Sequence, residues 1–248
     1  MHNYNNQIGL VKAKGFQLIL MKLSLTILLI LYSTVSYADT RSGLVAWWRL
    51  DDLSGTDSSG NGHTGTMVGT PTVVAGIEGN ALLFGSGKGM TFSTISTTGT
   101  NYSISGWVRM TNVNAQSYQV IINDNPAHDG LWAAAGSGPN YSINMSGSGS
   151  GSLNSGTLTQ NVWYFLVVSV SSGNGTFYVN NSVISTSASM GNYNLVQVGQ
   201  GSGDNFFGDI DDLRVYNRAL SASDVSQLYQ YGTAVFHNAK LFNMRVKS

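Results

Sequence analysis

Cysteine is absent from this chain of 248 residues, and charged side chains make up only 10% of it. Without cysteine there is no disulfide bond, so an exported form would depend on a sizeable core or on a bound metal for its stability. The same absence excludes a catalytic cysteine nucleophile and lipid attachment through an N-terminal cysteine. Glycine, in contrast, is abundant, with 30 residues, and it suits tight turns between short strands.

The first 38 residues are typical of a secretory signal peptide that follows an N-terminal extension. Residues 1–20 form the extension, Met21 opens a short positive region, an apolar run covers 23–35, and "SYA" (36–38) is a small-x-small cleavage site. The apolar run of about 13 residues is too short to span a bilayer, which takes roughly 20. We therefore expect cleavage after Ala38 and a secreted or cell-surface protein without membrane insertion; an uncleaved anchor is the alternative.

The charge that remains after this cleavage is small. Removal of the segment takes Lys12, Lys14 and Lys22 from the 12 basic residues and nothing from the 12 acidic ones, which leaves a net charge of −3. So mild an imbalance gives no electrostatic footprint for nucleic acid or for an anionic membrane. Residues 39–232 are long enough for one all-β domain with its own core, and residues 233–248 form a tail.

Residues 39–232 are rich in Gly, Ser, Thr and Asn, and their short β-branched or aromatic runs alternate with turn residues. This pattern predicts an antiparallel sandwich or barrel. Two residue pairs that tolerate positive φ, Asn174-Gly175 and Asn180-Asn181, predict hairpin turns. The predicted strands are 44–50, 80–84, 89–93, 102–110, 118–124, 130–136, 140–145, 162–171, 175–180, 182–187, 194–199 and 210–217.

One helix is predicted, over residues 220–232. Ser221 is suited to the N-cap, and Asp224, three residues later, completes a capping box. The apolar residues on either side of the cap have the spacing of a hydrophobic staple, and Gly232 is suited to a left-handed exit from the helix. We expect this helix to close the domain by packing on the sandwich.

The order of several motifs resembles the laminin-G-like module, and more specifically the bacterial branch of the concanavalin A-like lectin/glucanase superfamily. The resemblance covers residues 43–232 and is most specific at "DSSGNGHTG" (57–65) and "GDIDDLRVYNRALS" (208–221). It implies an all-β jelly-roll sandwich of two antiparallel sheets. The other motifs are "GLVAWWRLDD", "NALLF", "YSISGWVRM", "NVWYFLVVSV" and "TFYVNNSVI".

Catalysis is not expected. Glycosidases of this superfamily carry the pattern Glu-x-Asp-x-x-Glu on one strand, and retaining hydrolysis needs two carboxyl groups about 5 Å apart. This chain has a single glutamate, Glu78, in the turn-like segment "GIEGN". A Gly-x-Ser-x-Gly elbow followed by a helix and a phosphate-binding P-loop are also missing from the sequence. A glycoside hydrolase or lyase is therefore the less favoured alternative to a non-catalytic domain.

Asp211 raises a different question, because strand alternation places it on the same apolar side as Leu213 and Val215. A buried carboxylate costs several kcal/mol unless it is paired or hydrogen-bonded. It can accept backbone N–H bonds from a loop, pair with an arginine, or bind a structural calcium ion, as many relatives do. If the first and last strands pair, Asp51 or Asp52 would approach Asp211. The predicted calcium site is Asp51, Asp52 and Asp211.

Other polar residues near these motifs are expected to be structural or solvated. Strand phase and loop position predict that Asp209 and Asp212 are exposed, which makes them weaker metal candidates. In the turn at 57–65, Asp57 suits an Asx cap on backbone amides, and His63 is expected to be structural rather than a metal ligand.

Glycan binding requires exposed aromatic rings that stack on the apolar face of a sugar, with polar groups nearby for its hydroxyls. Trp107 is expected on the outer face of its strand or under a loop. The loop at 123–130 contributes polar groups, although a solvated turn is the alternative for it, and packing is the alternative for each aromatic residue. The candidate ligand-binding residues are Trp107, Arg109, Trp132, Tyr141, Asp124 and His128.

Two non-catalytic functions remain open. In the first, the domain is a secreted lectin-like module that recognises extracellular or cell-surface glycans. In the second, it is an adhesion or structural module that binds a surface protein, as many laminin-G-like domains do. The first is the function that we predict from the sequence.

Overall fold

The computed structural model describes residues 39–97, 100–124, 129–147, 151–201 and 203–246, and the side chains as far as residue 236. The predicted signal peptide and its cleavage site lie outside the described residues. Within the described part of the chain, no helix combines the length and the apolar character needed to cross a lipid bilayer.

Short strands joined by turns make up most of the described chain. The strands before residue 147 are β1 (Leu44–Trp48), β2 (Thr66–Val68), β3 (Thr72–Ala75), β4 (Asn80–Leu83), β5 (Gly89–Ser96), β6 (Tyr102–Met110), β7 (Tyr118–Asp124), β8 (Asp129–Ala135) and β9 (Asn140–Ser146). Those after residue 150 are β10 (Leu153–Asn154), β11 (Leu158–Thr159), β12 (Tyr164–Ser171), β13 (Asn174–Val179), β14 (Ser182–Ser187), β15 (Asn194–Val198), β16 (Gln200–Gly201), β17 (Asp204–Asn205) and β18 (Gly208–Tyr216). Helix α1 (Ala222–Val246) follows.

The strands form two large antiparallel sheets, as predicted. Sheet A has the order β14-β13-β12-β6-β18-β4-β3, and β1 also pairs with β18. Sheet B has the order β10-β9-β8-β7-β15-β5-β2, and β11 also pairs with β9. Strands β16 and β17 form a separate hairpin. Because β1 and β18 pair, the two ends of the domain meet in sheet A, which confirms the expected contact between the first and last strands.

The main core lies between the two sheets and is built from side chains that alternate along each strand. One row crosses sheet B in register on its inner side, with Met67 partly buried and the others buried: Met67, Met90, Val198, Ile122, Leu131 and Met145. A second, smaller apolar cluster covers the outer face of sheet A, where helix α1 packs. Helix α1 therefore adds a third layer on sheet A.

The start of helix α1 has the predicted capping box. The backbone N–H of Ser221 donates to the Asp224 carboxylate at 2.8 Å, and the backbone N–H of Asp224 donates to the Ser221 hydroxyl at 3.2 Å. Leu220 and Val225, the two residues of the predicted staple, are both buried in the cluster beneath the helix. The local sequence therefore determines where the helix begins.

The end of the helix differs from the prediction. Helix α1 does not stop at Gly232 but continues to Val246. A Cβ atom at Gly232 would lie 2.7 Å from Nε1 of Trp107 and 2.9 Å from Oε1 of Glu78. The glycine therefore serves the close approach of the helix to sheet A, which is a tertiary requirement rather than a stop signal.

One of the two predicted hairpin turns is confirmed and the other is wrong. Asn180 and Asn181 have φ values of 48° and 68° and join β13 to β14 as predicted. The turn between β12 and β13 is formed by Ser172 and Gly173, and Asn174 instead joins the ladder. The loop before β6 holds this turn in place, because Oδ1 of Asn101 accepts the N–H of Ser172 at 2.9 Å.

Candidate functional site

Asp211 is fully buried, but a β-bulge changes its direction. The register between β18 and β6 shifts after Asp211, and Asp212 has a φ of 53°. Because of the extra residue, Ile210 and Leu213 both belong to the core between the sheets, whereas Asp211 pairs with Trp107 on the outer face. The prediction that Asp211 points into the same core as Leu213 is therefore wrong. It points into the layer beneath helix α1.

The carboxylate of Asp211 holds the loop between β3 and β4. Its Oδ2 accepts the backbone N–H of Ile77 at 2.7 Å and that of Glu78 at 2.9 Å. Asp51, at the end of the first long strand, accepts the N–H of Asn80 at 2.8 Å. Asp51 and Asp211 thus hold the same loop from its two sides. Burial raises the pKa of Asp211 to about 7, although the two amide donors oppose the shift.

Glu78, Asp212 and Arg214 form a buried ionic cluster beside Asp211. Arg214 approaches Asp212 at 2.7 Å and Glu78 at 3.7 Å, and its guanidinium lies 4.7 Å from the centroid of the Trp47 ring. Burial, reinforced by the negative charge of Asp212, raises the pKa of Glu78 to about 8. The carboxyl groups of Glu78 and Asp212 therefore compete for one arginine at a site shielded from water.

Asp209 and Asp212, which were expected to be exposed, are both buried. The bulge brings Asp212 into the ionic cluster, and Asp209 accepts a hydrogen bond from Nε of Arg109. The guanidinium of Arg109 also lies 5.1 Å from the centroid of the Trp163 ring. Arg109 is therefore engaged in a structural ion pair and a cation–π contact on the outer face of sheet A.

The carboxylates of the predicted calcium site bind N–H donors. Asp51 pairs with Nε of Arg49 at 2.8 Å, Asp52 accepts the N–H of Ser54 at 2.8 Å, and Asp211 holds the amides described above. Calcium instead needs six to eight oxygen ligands. Among the described residues, no group of three or more His, Cys, Asp or Glu side chains is placed to hold a metal ion. The arrangement does not form an oxygen cage, and calcium binding stays a prediction.

The turn at 57–65 has the predicted structural role. The carboxylate of Asp57 accepts the backbone N–H groups of Trp47 at 3.0 Å, Ser59 at 2.9 Å and His63 at 2.9 Å. Burial works to raise the pKa of Asp57, but these hydrogen bonds outweigh it and lower the pKa. Nδ1 of His63 lies 2.8 Å from the hydroxyl of Ser93, which ties the turn to β5.

Two aromatic candidates are closed to a ligand. Trp107 is only 3% exposed: it lies on the outer face of sheet A as expected, but helix α1 covers it, and its ring stacks on Tyr229 with 5.7 Å between centroids. Tyr141 is 1% exposed in the core between the sheets. These positions correct the proposal that both residues contact a ligand, because a sugar would reach neither without displacing a layer of the fold.

The loop between β7 and β8 lies partly outside the described residues. Asp124 is half-buried at the end of β7, opposite Asp129, and burial together with the charge of Asp129 raises its pKa. His128 lies outside the described residues. Of this loop, the structure describes only the two acidic strand ends, Asp124 and Asp129, and they give no further evidence for a ligand site.

Trp132 is the aromatic candidate that remains on an open face. In β8 the residues Leu131 and Ala133 point into the core, so Trp132 and Ala134 point away from it on the outer face of sheet B. The indole is half-buried, and the ring of Tyr118, which is 49% exposed, meets it edge-on with 5.1 Å between centroids. Trp132 and Tyr118 therefore form an aromatic pair at the border of the outer face of sheet B.

A strip of amides and hydroxyls runs beside the aromatic pair. Trp132, Asn144 and Asn154 lie in register across β8, β9 and β10. Nδ2 of Asn154 donates to Oδ1 of Asn144 at 2.6 Å, and Nε1 of Trp132 donates to the hydroxyl of Ser146 at 3.0 Å. Ser142 faces the same way and is half-buried. We call Tyr118, Trp132, Ser142, Asn144, Ser146 and Asn154 the β8–β10 platform.

Tyr118, Asn144 and Asn154 were missed by the sequence analysis. Each has an ordinary strand or turn context, and only the register of four strands, β7 to β10, brings them beside Trp132. The available signal was the alternation in "NYSINMS" (140–146), in which every second residue is polar. That alternation predicts a solvent-facing side but does not say what lies beside it.

These two stacked antiparallel sheets define a jelly-roll sandwich, which is an all-β class of fold. Residues 84–226 match the family model Laminin_G_3, which is described as the concanavalin A-like lectin/glucanases superfamily. The chain belongs to this superfamily, and the resemblance and the fold predicted from the sequence are confirmed. A comparison with curated proteins gives no match.

Solved structures with a similar fold include carbohydrate-binding and receptor-binding domains. Domain 4 of AbnA, a GH43 extracellular arabinanase from Geobacillus stearothermophilus, in complex with arabinotriose, has a TM-score of 0.58 and 23% identity, and the match covers 75% of this chain and 98% of that domain. The binding domain of Paraclostridial Mosquitocidal Protein 1 has a TM-score of 0.58 and 18% identity over 77% of this chain and 52% of that chain. The receptor binding domain of botulinum neurotoxin C/D mosaic serotype has a TM-score of 0.61 and 16% identity over 77% and 51%.

The extent of these matches limits what they establish. The chain spans about half the length of the two toxin domains and nearly the whole of the arabinanase domain. At identities this low, the three structures establish a likeness of fold alone.

Proposed function

We propose that this protein is a secreted, non-catalytic carbohydrate-binding module, and that it binds glycans on the β8–β10 platform. The observation that carries the proposal is the partly exposed Trp132, with Tyr118 at its edge and the amides of Asn144 and Asn154 beside it. An aromatic ring offers a surface for the C–H face of a sugar, and the amides offer both donors and acceptors for its hydroxyls.

The arabinanase domain that shares the fold was solved with arabinotriose, which supports a carbohydrate as the kind of ligand. The proposal that the module is non-catalytic depends on the chemistry of the platform. Its six residues carry no carboxyl group, whereas glycoside hydrolysis needs two of them on either side of the scissile bond.

A surface module that binds a protein partner is the second candidate. It is favoured by β14, the last strand of sheet A, where Val183 is 56% exposed and Ile184 is 46% exposed. A strand at a sheet edge can pair with an extended segment of another protein. The receptor-binding domains that share the fold are consistent with such a partner.

The experiment that tests the proposed function is a glycan array followed by calorimetric titration of the purified protein. Trp132→Ala is expected to weaken binding about tenfold or more, which corresponds to ~1.4 kcal/mol. Trp163→Ala is the matched control, because Trp163 is also a partly buried tryptophan, directly before β12 of the other sheet and in contact with Arg109. Absence of glycan binding by the wild type, or equal losses in the two variants, would contradict the proposal.

A further inference from the structure

Charge is distributed unequally between the two sheets. The strands of sheet B contain no Lys, Arg, His or Glu, and their only charged residues are Asp124 and Asp129, paired at the hairpin end of β7 and β8. The strands of sheet A carry Arg109, Asp209, Asp211, Asp212 and Arg214. The face that carries the β8–β10 platform is therefore neutral along its strands.

The polar groups of the platform are neutral and form a connected row. Asn154 donates to Asn144, and Nδ2 of Asn144 in turn donates to the hydroxyl of Ser142 at 3.4 Å. At the other end, the backbone N–H of Asn154 donates to the hydroxyl of Ser185 in β14 at 3.1 Å. Each amide retains further donor or acceptor capacity after these bonds, because a primary amide has two N–H groups and two lone pairs.

Resting on the proposed function above, we infer that the platform selects an uncharged oligosaccharide that lies across β8, β9 and β10. The hydroxyls of such a chain both donate and accept, which matches the amides. A carboxylate or sulfate group would lose water without gaining a cation from the strands of sheet B. Selection against anionic glycans therefore follows from the same residues that bind neutral ones.

The row also sets a minimum length for the ligand. From Trp132 through Asn144 to Asn154 the platform crosses two strand spacings, or about 10 Å. A monosaccharide on Trp132 would leave the Asn154 end of the row in water. We expect a trisaccharide to bind at least about tenfold more tightly than its monosaccharide, because it reaches both ends.

The test compares probes that differ in charge. Arabinotriose and cellotriose serve as neutral trisaccharides and trigalacturonic acid as the anionic one, each titrated into the full protein at low and at high salt. We expect the neutral chains to bind at least about tenfold more tightly, with affinities that stay constant as salt rises, because no ion pair is involved. A preference for trigalacturonic acid, or equal binding, overturns this inference but leaves the proposed function in place; a lack of binding to every glycan contradicts the proposed function itself.

Two variants separate recognition from folding. Asn144→Asp keeps the acceptor for Asn154 but removes two donors and adds a negative charge, and it should lose neutral binding. Asn174→Asp adds the same charge at an exposed site in β13 and is the matched control. Ser142→Arg supplies the missing cation and should raise the affinity for trigalacturonic acid at low salt. A folded Ser142→Arg protein without that gain counts against the inference.

Discussion

The buried ionic cluster predicts an unusual dependence of stability on pH. Glu78 ordinarily titrates near 4.5, but in the folded protein its pKa is about 8, chiefly because of burial and then because of Asp212. Asp211 is shifted in the same direction, to about 7, again mainly by burial. Both acids therefore hold a proton in the folded state at pH values at which the unfolded chain has already released it.

The consequence is a loss of stability as pH rises. Between about pH 4.5 and pH 8 the folded state binds more protons than the unfolded state, so the free energy of unfolding falls through this window and levels off above it. Arg214 limits the effect because it favours ionised Glu78. With 1.36 kcal/mol per pKa unit, a shift from 4.5 to about 8 at Glu78 alone corresponds to on the order of 5 kcal/mol, or roughly 10–20 °C in Tm for a domain of this size.

The assay is thermal unfolding of wild type and Glu78→Gln from pH 5 to pH 9. Glutamine has nearly the same shape as protonated glutamate and does not titrate, so the variant should melt higher than wild type at pH 9 and show a flatter pH profile. Asp52→Asn is the control: Asp52 is exposed, hydrogen bonds from Ser54 lower its pKa, and it stays ionised across this range. A wild-type Tm that is constant or rises from pH 5 to pH 8 would refute the reasoning.

Three further predictions concern helix α1 and the predicted metal site. Gly232→Val should lower the free energy of unfolding by roughly 2 kcal/mol or more in urea titrations, because its side chain collides with those beneath the helix, whereas Ala234→Val, at an exposed position, should cost far less. Ser221→Ala should cost about 1 kcal/mol through loss of the N-cap, and an unchanged urea midpoint would argue against that role. Melting in calcium and in EDTA tests calcium binding near Asp211: the hydrogen bonds that its carboxylate accepts predict equal midpoints, and a higher midpoint in calcium would support the predicted site at Asp51, Asp52 and Asp211.

Long strands were predictable because their hydrophobic pattern is local. Strands β6, β7 and β14 have the bounds that alternation indicates, as does the beginning of helix α1, which depends on a cap and a staple within a few residues. Strands β2, β3, β10, β11, β16 and β17 were missed. They are two to four residues long and depend on neighbouring strands for their hydrogen bonds, so they have almost no pattern of their own.

The candidate site was predictable only in part. Trp107 and Trp132 look alike in the sequence, since each is a tryptophan within a short predicted strand. Helix α1 covers Trp107 and leaves Trp132 open, and that difference depends on which sheet the helix packs against. Asn144 and Asn154 belong to the platform only through strand register, which no local signal contains.

The sequence by itself determined the class of fold, the alternation that gives each sheet one apolar face, and the capped start of the helix. These properties arise from interactions between residues close together along the chain. Tertiary structure decided the direction of Asp211, because one extra residue in β18 turns it from the core between the sheets towards the helix. It also decided that helix α1 covers Trp107 and not Trp132, because the helix buries its apolar side on the outer face of sheet A.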